Sequence, residues 1–151
     1  MTAVIFTDGV VELRPSTPND ATLIIAGRDA AVRRFIGEGS AFPAPEFVIV
    51  VDGSVVGWVD HDRDDDRWWL APGEVNIGYH VFPVHRRCGY ATRAARLMVQ
   101  HLRADTDWET ATLLIHPDNV ASLAVAERNG FERADDVNER TFWRRPLRSP
   151  G

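Results

Sequence analysis

A short basic segment, Arg86–Ala91, has the residue types of an anion-binding loop. It lies between a β-branched, aromatic stretch and a long amphipathic stretch, which are typical of a strand and a helix. At a helix N-terminus the first backbone N–H groups lack intrahelical partners, and the helix dipole favours a negative charge. Gly89 would let the backbone turn left-handed and approach a ligand closely, while Arg86 and Arg87 add positive charge. The segment therefore predicts a pyrophosphate site, although such a motif taken alone is also typical of a solvated turn.

The loop must be positioned by the elements on either side of it. Residues 74–82 predict a strand, which Pro83 ends because proline has no N–H to donate to a neighbouring strand. From Tyr90 to Arg103 the sequence predicts a helix that packs with one face and leaves the other in water. The apolar face carries Ala91, Ala94, Ala95, Met98 and Leu102, and the polar face carries Arg93, Arg96, Gln100 and Arg103.

A second segment with polar residues at a predicted helix start lies further along the chain. Residues 113–116 predict a strand, and Pro117–Ser122 begins a helix that ends at Asn129-Gly130-Phe131. Asn119 and Ser122 fall at the start of this helix. A serine at such a position also commonly bonds the backbone of its own helix.

Together the two segments resemble the GCN5-related N-acetyltransferase (GNAT) family. The family's acetyl-CoA signature, Gln/Arg-x-x-Gly-x-Gly/Ala between a strand and a helix, is matched by Arg86, Gly89 and Ala91. A second family block is matched by Asn119 and Ser122 and by the Gly-Phe pair that ends the helix. The resemblance covers about residues 10–147 and is strongest to the ribosomal-protein N-terminal acetyltransferases (the RimJ/RimL-like branch). Two further matches are Glu12-Leu13-Arg14-Pro15 near the start and Ile77-Gly78-Tyr79 in the central strand.

The resemblance implies a fold and a cosubstrate. The fold is α/β, with a mixed central sheet of about seven strands flanked by helices, in which a splayed parallel strand pair admits the pantetheine arm of acetyl-CoA. The backbones of Tyr79, His80 and Val81 would pair with the pantetheine and polarise the thioester carbonyl, and Asn119 would help to hold the arm. The pyrophosphate would lie on Arg86, Arg87, Cys88, Gly89, Tyr90, Ala91 and Thr92.

The implied reaction is direct attack of a neutral amine on the thioester, without a covalent enzyme intermediate. Many relatives use a glutamate on the central strand as the base and a tyrosine four residues before the Gly-Phe pair as the acid. Here Asn76 and Ala126 stand at those positions, so the sequence departs from the family twice. The departing thiolate needs little help from an acid, because a thiol has a pKa near ~8.5.

We expect other residues to supply the missing chemistry. Strand alternation places Glu74, Asn76, Gly78 and His80 on one face of the central strand. Glu74 is the expected base, working through a water that Asn76 orients, and Ser122 matches the serine that the resembling branch places beside the thioester sulfur. Glu74 could equally be a polar residue at a strand end, and His80 could titrate near neutrality or pack against a neighbour.

The rest of the chain predicts further elements of the same sheet. Asp52-Gly53 is a two-residue hairpin signal between two apolar runs, and helical residues follow Ser16, are interrupted near Gly27 and resume after Asp29. This early helical region is short, which suggests an open acceptor cleft or closure by a partner subunit. The crossover helix implies that strands 74–82 and 111–116 are parallel. Strands are also predicted at residues 10–14, 47–51, 55–59, 131–133 and 141–144.

An acidic stretch, residues 60–67, precedes Trp68 and Trp69. Its five aspartates and the two indoles could attract a cationic acceptor through charge and cation–π contact. The alternative is a solvated hairpin tip whose aromatic rings pack on the sheet. His61 has no second histidine or cysteine at ligand spacing, so we expect no metal site.

Composition limits the class of protein. The 151 residues fit a single domain, and the net charge of −5 argues against a nucleic-acid binder. All 17 basic residues are arginine, which excludes lysine-based chemistry, and the single cysteine, Cys88, excludes an internal disulfide. No apolar run is long enough for a bilayer and the N-terminus does not resemble a signal peptide, so we expect a cytoplasmic protein.

The sequence therefore predicts an acetyl-CoA-dependent N-acetyltransferase that acts on a primary amine. A protein or peptide α-amine is the first expectation, and a small cationic amine such as an aminoglycoside or a polyamine is the alternative. A non-catalytic acyl-CoA-binding module stays open because the acid and base residues depart from the family. A homodimer is possible, and neither a nucleic acid nor a membrane is an expected partner.

Overall fold

The computed structural model describes residues 5–64 and 66–149, which form one mixed sheet with helices on both faces. Asp65 of the acidic stretch and the last two residues of the tail, Pro150 and Gly151, lie outside the described residues. The strands are β1 (Phe6–Thr7), β2 (Glu12–Pro15), β3 (Phe47–Val51), β4 (Ser54–Asp62), β5 (Glu74–Val81), β6 (Thr110–Ile115), β7 (Glu132–Val137) and β8 (Arg140–Pro146). They lie side by side in the order β1-β2-β3-β4-β5-β6-β8-β7.

Four α-helices connect these strands: α1 (Ala21–Ala26), α2 (Ala30–Phe35), α3 (Tyr90–Asp105) and α4 (Val120–Arg128). Short 3-10 turns lie at Pro18–Asp20 and Pro83–His85. The predicted α/β class, the hairpin at Asp52-Gly53 and the interruption at Gly27 are confirmed. The sheet has one strand more than the expected seven, because the two-residue β1 is too short to produce an alternating pattern. Within the described ranges, no helix is long and apolar enough to cross a bilayer.

The hydrophobic core is divided by the sheet into two layers. The long helix α3 buries Ala94, Ala95, Met98 and Leu102 against the inward side chains of the central strands, as its predicted apolar face requires. On the other face of the sheet, α1 and its neighbours cover a smaller apolar cluster that includes Ile24 and Phe82. Successive residues of β5 therefore point alternately into the α3 layer and towards α1 and α2.

The strands β5 and β6 form the one parallel pair among the described strands, with α3 as the crossover. They pair at Glu74–Thr110, Val75–Ala111 and Asn76–Thr112, and then diverge. On its other edge β5 stays paired with β4 as far as Gly57–Val81. A side chain at Gly57 would place its Cβ 2.2 Å from the His80 carbonyl oxygen, which explains the glycine at this position. The divergence leaves one backbone edge of β5 open over its last residues.

Candidate active site

A cavity of about 520 Å³ opens where β5 and β6 diverge. Its walls are the end of β5, the loop before α3, the first turns of α3 and α4, and one side of α2. Of the residues expected to hold the cosubstrate, all except Cys88 line it: Tyr79, His80, Val81, Arg86, Arg87, Gly89, Tyr90, Ala91, Thr92 and Asn119. The loop that carries Cys88 turns that exposed side chain elsewhere, and its thiol contacts the Arg86 carbonyl (3.5 Å).

Backbone conformation at the cavity rim matches the requirements of an anion site. Gly89 has φ +80°, as expected, and is the N-cap of α3 without any side-chain capping bond. The first intrahelical bond here runs from the Arg93 N–H to the Gly89 carbonyl (3.2 Å), so the N–H groups of the first turn of α3 have no partner within the helix. Arg87 is also left-handed (φ +65°), and its exposed side chain lies at the cavity.

Arg86 is held by protein groups, in contrast to the expectation that it adds charge for the pyrophosphate. Its Nη1 and Nη2 donate to both carboxylate oxygens of Asp29 (2.7 and 3.2 Å), and its Nε donates to the Val81 carbonyl (3.0 Å). Asp29 is the N-cap of α2 and also accepts the Val32 N–H (3.0 Å). The Arg86 ion pair and the Val32 N–H lower the pKa of Asp29. Arg86 thus ties the loop before α3 to α2, while Arg87 and Arg128 are the other arginines that line the cavity.

Ser122 lies at the cavity in a chain of hydroxyl groups. Asn119 caps α4 through its Oδ1, which accepts the Ser122 N–H (3.3 Å). The Tyr79 hydroxyl donates to Ser122 Oγ (2.8 Å), which leaves the serine proton available to a group in the cavity. Ser122 and Ala126 are one helical turn apart, so Tyr79 brings a phenol from β5 to the helix face on which the family's tyrosine is missing. Burial raises the pKa of Tyr79 to about 12, so the phenol keeps its proton at neutral pH.

We expect Tyr79→Phe to lower kcat only about three- to tenfold, which is less than the usual contribution of a general acid to the rate. The effect is small because a thiolate leaves readily without an acid. Ser122→Ala should cost a similar factor, and the double variant should be no worse than the poorer single one, since the two hydroxyls act as one chain. Steady-state rates of thiol release check this. Independent, multiplying losses would show that the two hydroxyls do not act together.

A second cavity, of about 230 Å³, lies on the other face of β5. Its apolar walls come from α1, α2, the loop at residues 37–45 and Trp58. His80, Val32 and Ile36 line both cavities, so the two adjoin. The early helical region therefore forms one wall of this second cavity, as the family resemblance implies for the acceptor side. Its ionisable residues are Arg28, Asp60 and His80.

His80 does not have the properties of a base at neutral pH. Its Nε2 lies 2.8 Å from the Arg86 guanidinium, which can only donate, so Nε2 is the acceptor and the proton resides on Nδ1. Burial and the charge of Arg86 lower the pKa of His80 to about 4. The imidazole is therefore neutral, with its basic nitrogen occupied.

Glu74 lies outside both cavities, in the closed part of the β5–β6 pair. Its Oε2 accepts the Arg144 Nε–H (2.5 Å), and its Oε1 accepts the Ala71 N–H (2.9 Å). The side chain is 8% exposed. Strand alternation puts Glu74 on the expected face, but at the end of β5 away from the cosubstrate loop. This geometry does not support Glu74 as the base and gives its carboxylate a role in holding β8 to β5.

The expected effect of Glu74→Gln is consequently on stability. Loss of the charge weakens the Arg144 pair, and because that arginine is partly exposed we expect a loss of about 1–2 kcal/mol in the free energy of unfolding. The ratio of rates at about pH 7 and pH 9 should equal that of the unchanged protein, since no proton of the reaction passes through this carboxylate. Urea denaturation and pH–rate profiles check both points. A rate loss confined to the lower pH would restore Glu74 as a water-linked base.

Asn76 occupies the last paired position, at the fork of the two strands. Its side chain is buried, and its Nδ2 donates to the Ile77 carbonyl at a long 3.4 Å. Its Oδ1 accepts no hydrogen bond from the part of the chain that the structure describes. A buried amide oxygen without a partner is costly, so this atom is suited to a water or a substrate N–H at the fork.

Asp60 is the residue of the second cavity that the sequence pattern did not single out from the acidic stretch. It lies in β4 opposite Gly78 of β5, and its Oδ1 accepts the N–H groups of His61 (2.9 Å) and Glu46 (3.3 Å). Burial, together with the charge of Glu46, raises its pKa. A signal was present, because Trp58 and Asp60 alternate with the core residue Val59 and so share the opposite face.

The acidic stretch itself is tied down by its own arginines. Arg67 pairs with Asp62, and Arg63 donates to the Ala71 carbonyl (2.8 Å). Trp68 is 71% exposed, and neither it nor Trp69 lines either of the two cavities described above. Apart from Asp60, which lines the second cavity, the described residues of the stretch fit a hairpin tip better than an acceptor site.

His61 has a histidine neighbour that sequence spacing did not reveal. His101 of α3 bonds Glu46 (3.1 Å), and His61 pairs with the same carboxylate. These contacts lower the pKa of Glu46 and raise that of His61. Ligand atoms of Glu46, Asp60 and His61 lie within 4.8 Å of one another, because His61 pairs with Glu46 and Asp60 accepts the backbone N–H groups of both residues.

Comparison with known proteins identifies the class. The family described as "Acetyltransferase (GNAT) domain" matches residues 11–132. The chain therefore belongs to the GNAT acetyltransferases, whose cosubstrate is acetyl-CoA. No curated protein matches the sequence.

Solved structures show the same fold at low sequence identity. RimL, a ribosomal L7/L12 alpha-N-protein acetyltransferase in complex with coenzyme A, is 16% identical with a TM-score of 0.75, over 95% of this chain and 98% of that one. Mycobacterium smegmatis RimJ in complex with CoA-disulfide is 20% identical with a TM-score of 0.70, over 91% and 82%. Aminoglycoside acetyltransferase AAC(6')-Ib in complex with coenzyme A and kanamycin is 18% identical with a TM-score of 0.77, over 90% and 94%.

Proposed function

We propose that residues 1–151 act as a single domain that transfers the acetyl group of acetyl-CoA to the α-amine of a peptide or protein N-terminus. The observation that carries this proposal is the second cavity, which adjoins the cosubstrate cavity at His80 and is small, largely apolar and supplied with one carboxylate, that of Asp60. Such a space suits one ammonium group beside an apolar side chain. An acceptor with several ammonium groups would leave most of them without a partner.

The residues of the first cavity have distinct roles in this proposal. The open edge of β5 at Tyr79–Val81 pairs with the pantetheine and polarises the thioester carbonyl. The first-turn amides of α3 and the Arg87 side chain receive the pyrophosphate, and Asn119 stands at the arm. The amine nitrogen attacks the carbonyl carbon, the C–S bond breaks, and Ser122 gives the leaving sulfur a hydrogen-bond donor.

Proton energetics favour an α-amine. At pH 7 an amine with the lysine reference pKa near ~10.4 is neutral in about one molecule in 2,500, whereas an α-amine with a pKa of ~7.7–8.0 is neutral in about one in 6 to 11. The difference in deprotonation cost is about 3–4 kcal/mol. A site whose central strand carries Asn76 where relatives have a glutamate is better suited to the amine that deprotonates more easily.

The test is thiol release from acetyl-CoA with a panel of amines. Peptides with a free N-terminus offer an α-amine, and the same peptides N-acetylated and carrying one lysine offer a side-chain amine. The rates with both peptides are compared with the rates with kanamycin and spermidine. We expect the free α-amine to react fastest, with rates rising between about pH 6 and pH 8. Faster reaction of the lysine, kanamycin or spermidine would move the acceptor to that class, and binding of acetyl-CoA without turnover of any amine would indicate a binding module.

The homodimer that an open cleft suggested stays a prediction. Helices α1 and α2 already wall the second cavity from within one chain, so the proposed reaction needs no residue from a partner subunit. Sedimentation equilibrium at assay concentrations would give the oligomeric state.

A further inference from the structure

We propose that Asp60 is the carboxylate that binds the acceptor ammonium group and takes its proton. The proposal rests on the proposed function, because it requires a primary amine to enter the second cavity. It adds a catalytic residue on β4, the strand beside the one on which the family resemblance places the base.

The position of Asp60 is the first argument. It pairs with Gly78 across the two strands, so its side chain projects from the same face as that glycine. A Cβ added at Gly78 would find one protein atom within 4 Å, a ring carbon of Trp58 at 3.9 Å. The absence of a side chain at Gly78 therefore leaves open space between the Asp60 carboxylate and the edge of β5 where the thioester is proposed to lie.

The orientation of the carboxylate is the second argument. Two backbone N–H groups, from His61 and Glu46, bond the same oxygen, Oδ1. They fix the carboxylate group without occupying Oδ2, which has no hydrogen-bond partner from residues 5–64 and 66–149. An oriented carboxylate with one oxygen to spare is suited to an incoming ammonium group.

The other ionisable groups of this region are less suited to the role. The Glu74 carboxylate is engaged by Arg144, and the basic nitrogen of His80 is engaged by Arg86. Asn76 cannot take a proton, and it lines neither cavity. Arg28 donates to the Ser40 carbonyl (2.8 Å) and carries the wrong charge for an ammonium group.

The ammonium group enters as R–NH₃⁺ against the Asp60 carboxylate and transfers one proton to it, leaving R–NH₂. The nitrogen lone pair attacks the thioester carbon, and the C–S electron pair leaves with sulfur. The second proton, released from nitrogen as the amide forms, goes to the sulfur and gives free coenzyme A thiol, while Asp60 returns its proton to water. Burial and the nearby Glu46 raise the pKa of Asp60, which reduces the gap between it and the amine.

The experiment compares Asp60→Asn with Asp52→Asn. Asparagine keeps an oxygen for the two backbone N–H groups and removes only the charge, and Asp52 is an exposed aspartate at the far end of the same hairpin. With a peptide N-terminus at neutral pH, we expect kcat/KM to fall about 100-fold in Asp60→Asn and to stay unchanged in Asp52→Asn. Calorimetry should give acetyl-CoA affinities within about twofold for all three proteins, since Asp60 does not line the first cavity.

Two further measurements exclude a merely structural role. Trifluoroethylamine is already neutral at pH 7, so Asp60→Asn should acetylate it about as well as the unchanged protein does. With a peptide acceptor the rate of Asp60→Asn should rise about tenfold per pH unit up to the amine pKa, because only free neutral amine can react. The charged groups around Asp60, namely Glu46, His61, Arg28 and His80, are identical in both proteins and cancel in this comparison.

The outcomes separate the two proposals. If the unchanged protein acetylates no α-amine, the proposed function fails, and the Asp60 test is repeated with whichever amine it does acetylate. If the unchanged protein is active and Asp60→Asn matches it in rate and pH profile, the role of Asp60 is wrong. Should Asp60→Asn fail to bind acetyl-CoA, Asp60→Glu decides the matter: the role of Asp60 requires it to keep more activity than Asp60→Ala, and equal losses would overturn that role.

Discussion

Replacing Gly89 by valine should weaken acetyl-CoA binding by at least about 100-fold, the largest change we expect from any single residue of the site. A Cβ at Gly89 would meet no protein atom within 4 Å, so the protein has room for it. The side chain would instead occupy the space through which the pyrophosphate approaches the amides of α3. The left-handed backbone (φ +80°) adds a strain of about 1–2 kcal/mol for a residue with a Cβ.

A matched glycine separates the two causes. Gly53 has φ +79°, also meets no protein atom within 4 Å, and lies in the hairpin turn, away from the cavity. Gly53→Val should therefore lose about the same stability as Gly89→Val but keep its affinity for acetyl-CoA. Cys88→Ala should also keep its affinity, because the Cys88 side chain does not line the cavity. Calorimetry and thermal unfolding measure both quantities. Equal affinities in the Gly53 and Gly89 variants would remove the pyrophosphate from this loop.

Arg86→Gln should produce the second large effect, a loss of about 1–3 kcal/mol in the free energy of unfolding together with a higher pKa for His80. The guanidinium joins Asp29, Val81 and His80, so its loss releases the α2 N-terminus from the cosubstrate loop. It also removes a cation from the imidazole while leaving the Asp29 carboxylate, whose charge raises the pKa of His80. His80 should then titrate closer to its ordinary range.

The sign of the pH dependence follows from the lowered pKa of His80, about 4 in the folded protein against 6.5 ordinarily. Between these values the unfolded chain binds a proton that the folded protein does not, so stability falls as the pH drops from 6.5 to 4 and is unaffected by His80 above 6.5. The full shift corresponds to about 3 kcal/mol, and partial screening by solvent reduces our expectation to about 2 kcal/mol. Arg86→Gln should lose less stability over this pH range than the unchanged protein, because its His80 pKa is closer to the ordinary value.

Urea denaturation across this pH range measures the free energy of unfolding, and NMR titration of the imidazole measures the pKa of His80. Arg87→Gln is the control for both quantities. Arg87 is exposed and is adjacent in sequence, so its loss removes the same charge without the three contacts. An unchanged His80 titration in Arg86→Gln would show that burial alone lowers that pKa.

Local sequence carried enough information to predict the backbone conformation of the loop before α3. The left-handed Gly89, the start of α3 and the face that packs on the sheet depend on neighbours within a few positions, where the patterns of residue type are physically constrained. The parallel direction of β5 and β6 was predictable too, because a crossover helix joins them, whereas their divergence was expected only from the family resemblance.

Contacts between distant parts of the chain were not predictable in the same way. Arg86 looked like a phosphate ligand until the fold brought Asp29 beside it, and Glu74 looked like a base until Arg144 of β8 engaged it. Asp60 was hidden in a run of aspartates, because composition does not show which of them lies in a strand and faces a cavity. The charge state and availability of a side chain depend on its partners in space, and these were 57 and 70 positions away for Arg86 and Glu74.

The brief pairing of β5 with β6 has a consequence for the cooperativity of the fold. Five strands lie before this junction and three after it, and the two groups share three paired positions in the sheet. Acetyl-CoA would fill the gap beyond those positions and contact both groups at once, so it would act as a missing structural element. A ligand at 100 times its Kd contributes about 2.7 kcal/mol to whichever state binds it. Local opening, measured by amide hydrogen exchange, should therefore be concentrated along this junction in the free protein and suppressed there by the cosubstrate. The same ligand that prepares the site for the reaction would then also hold the two halves of the sheet together.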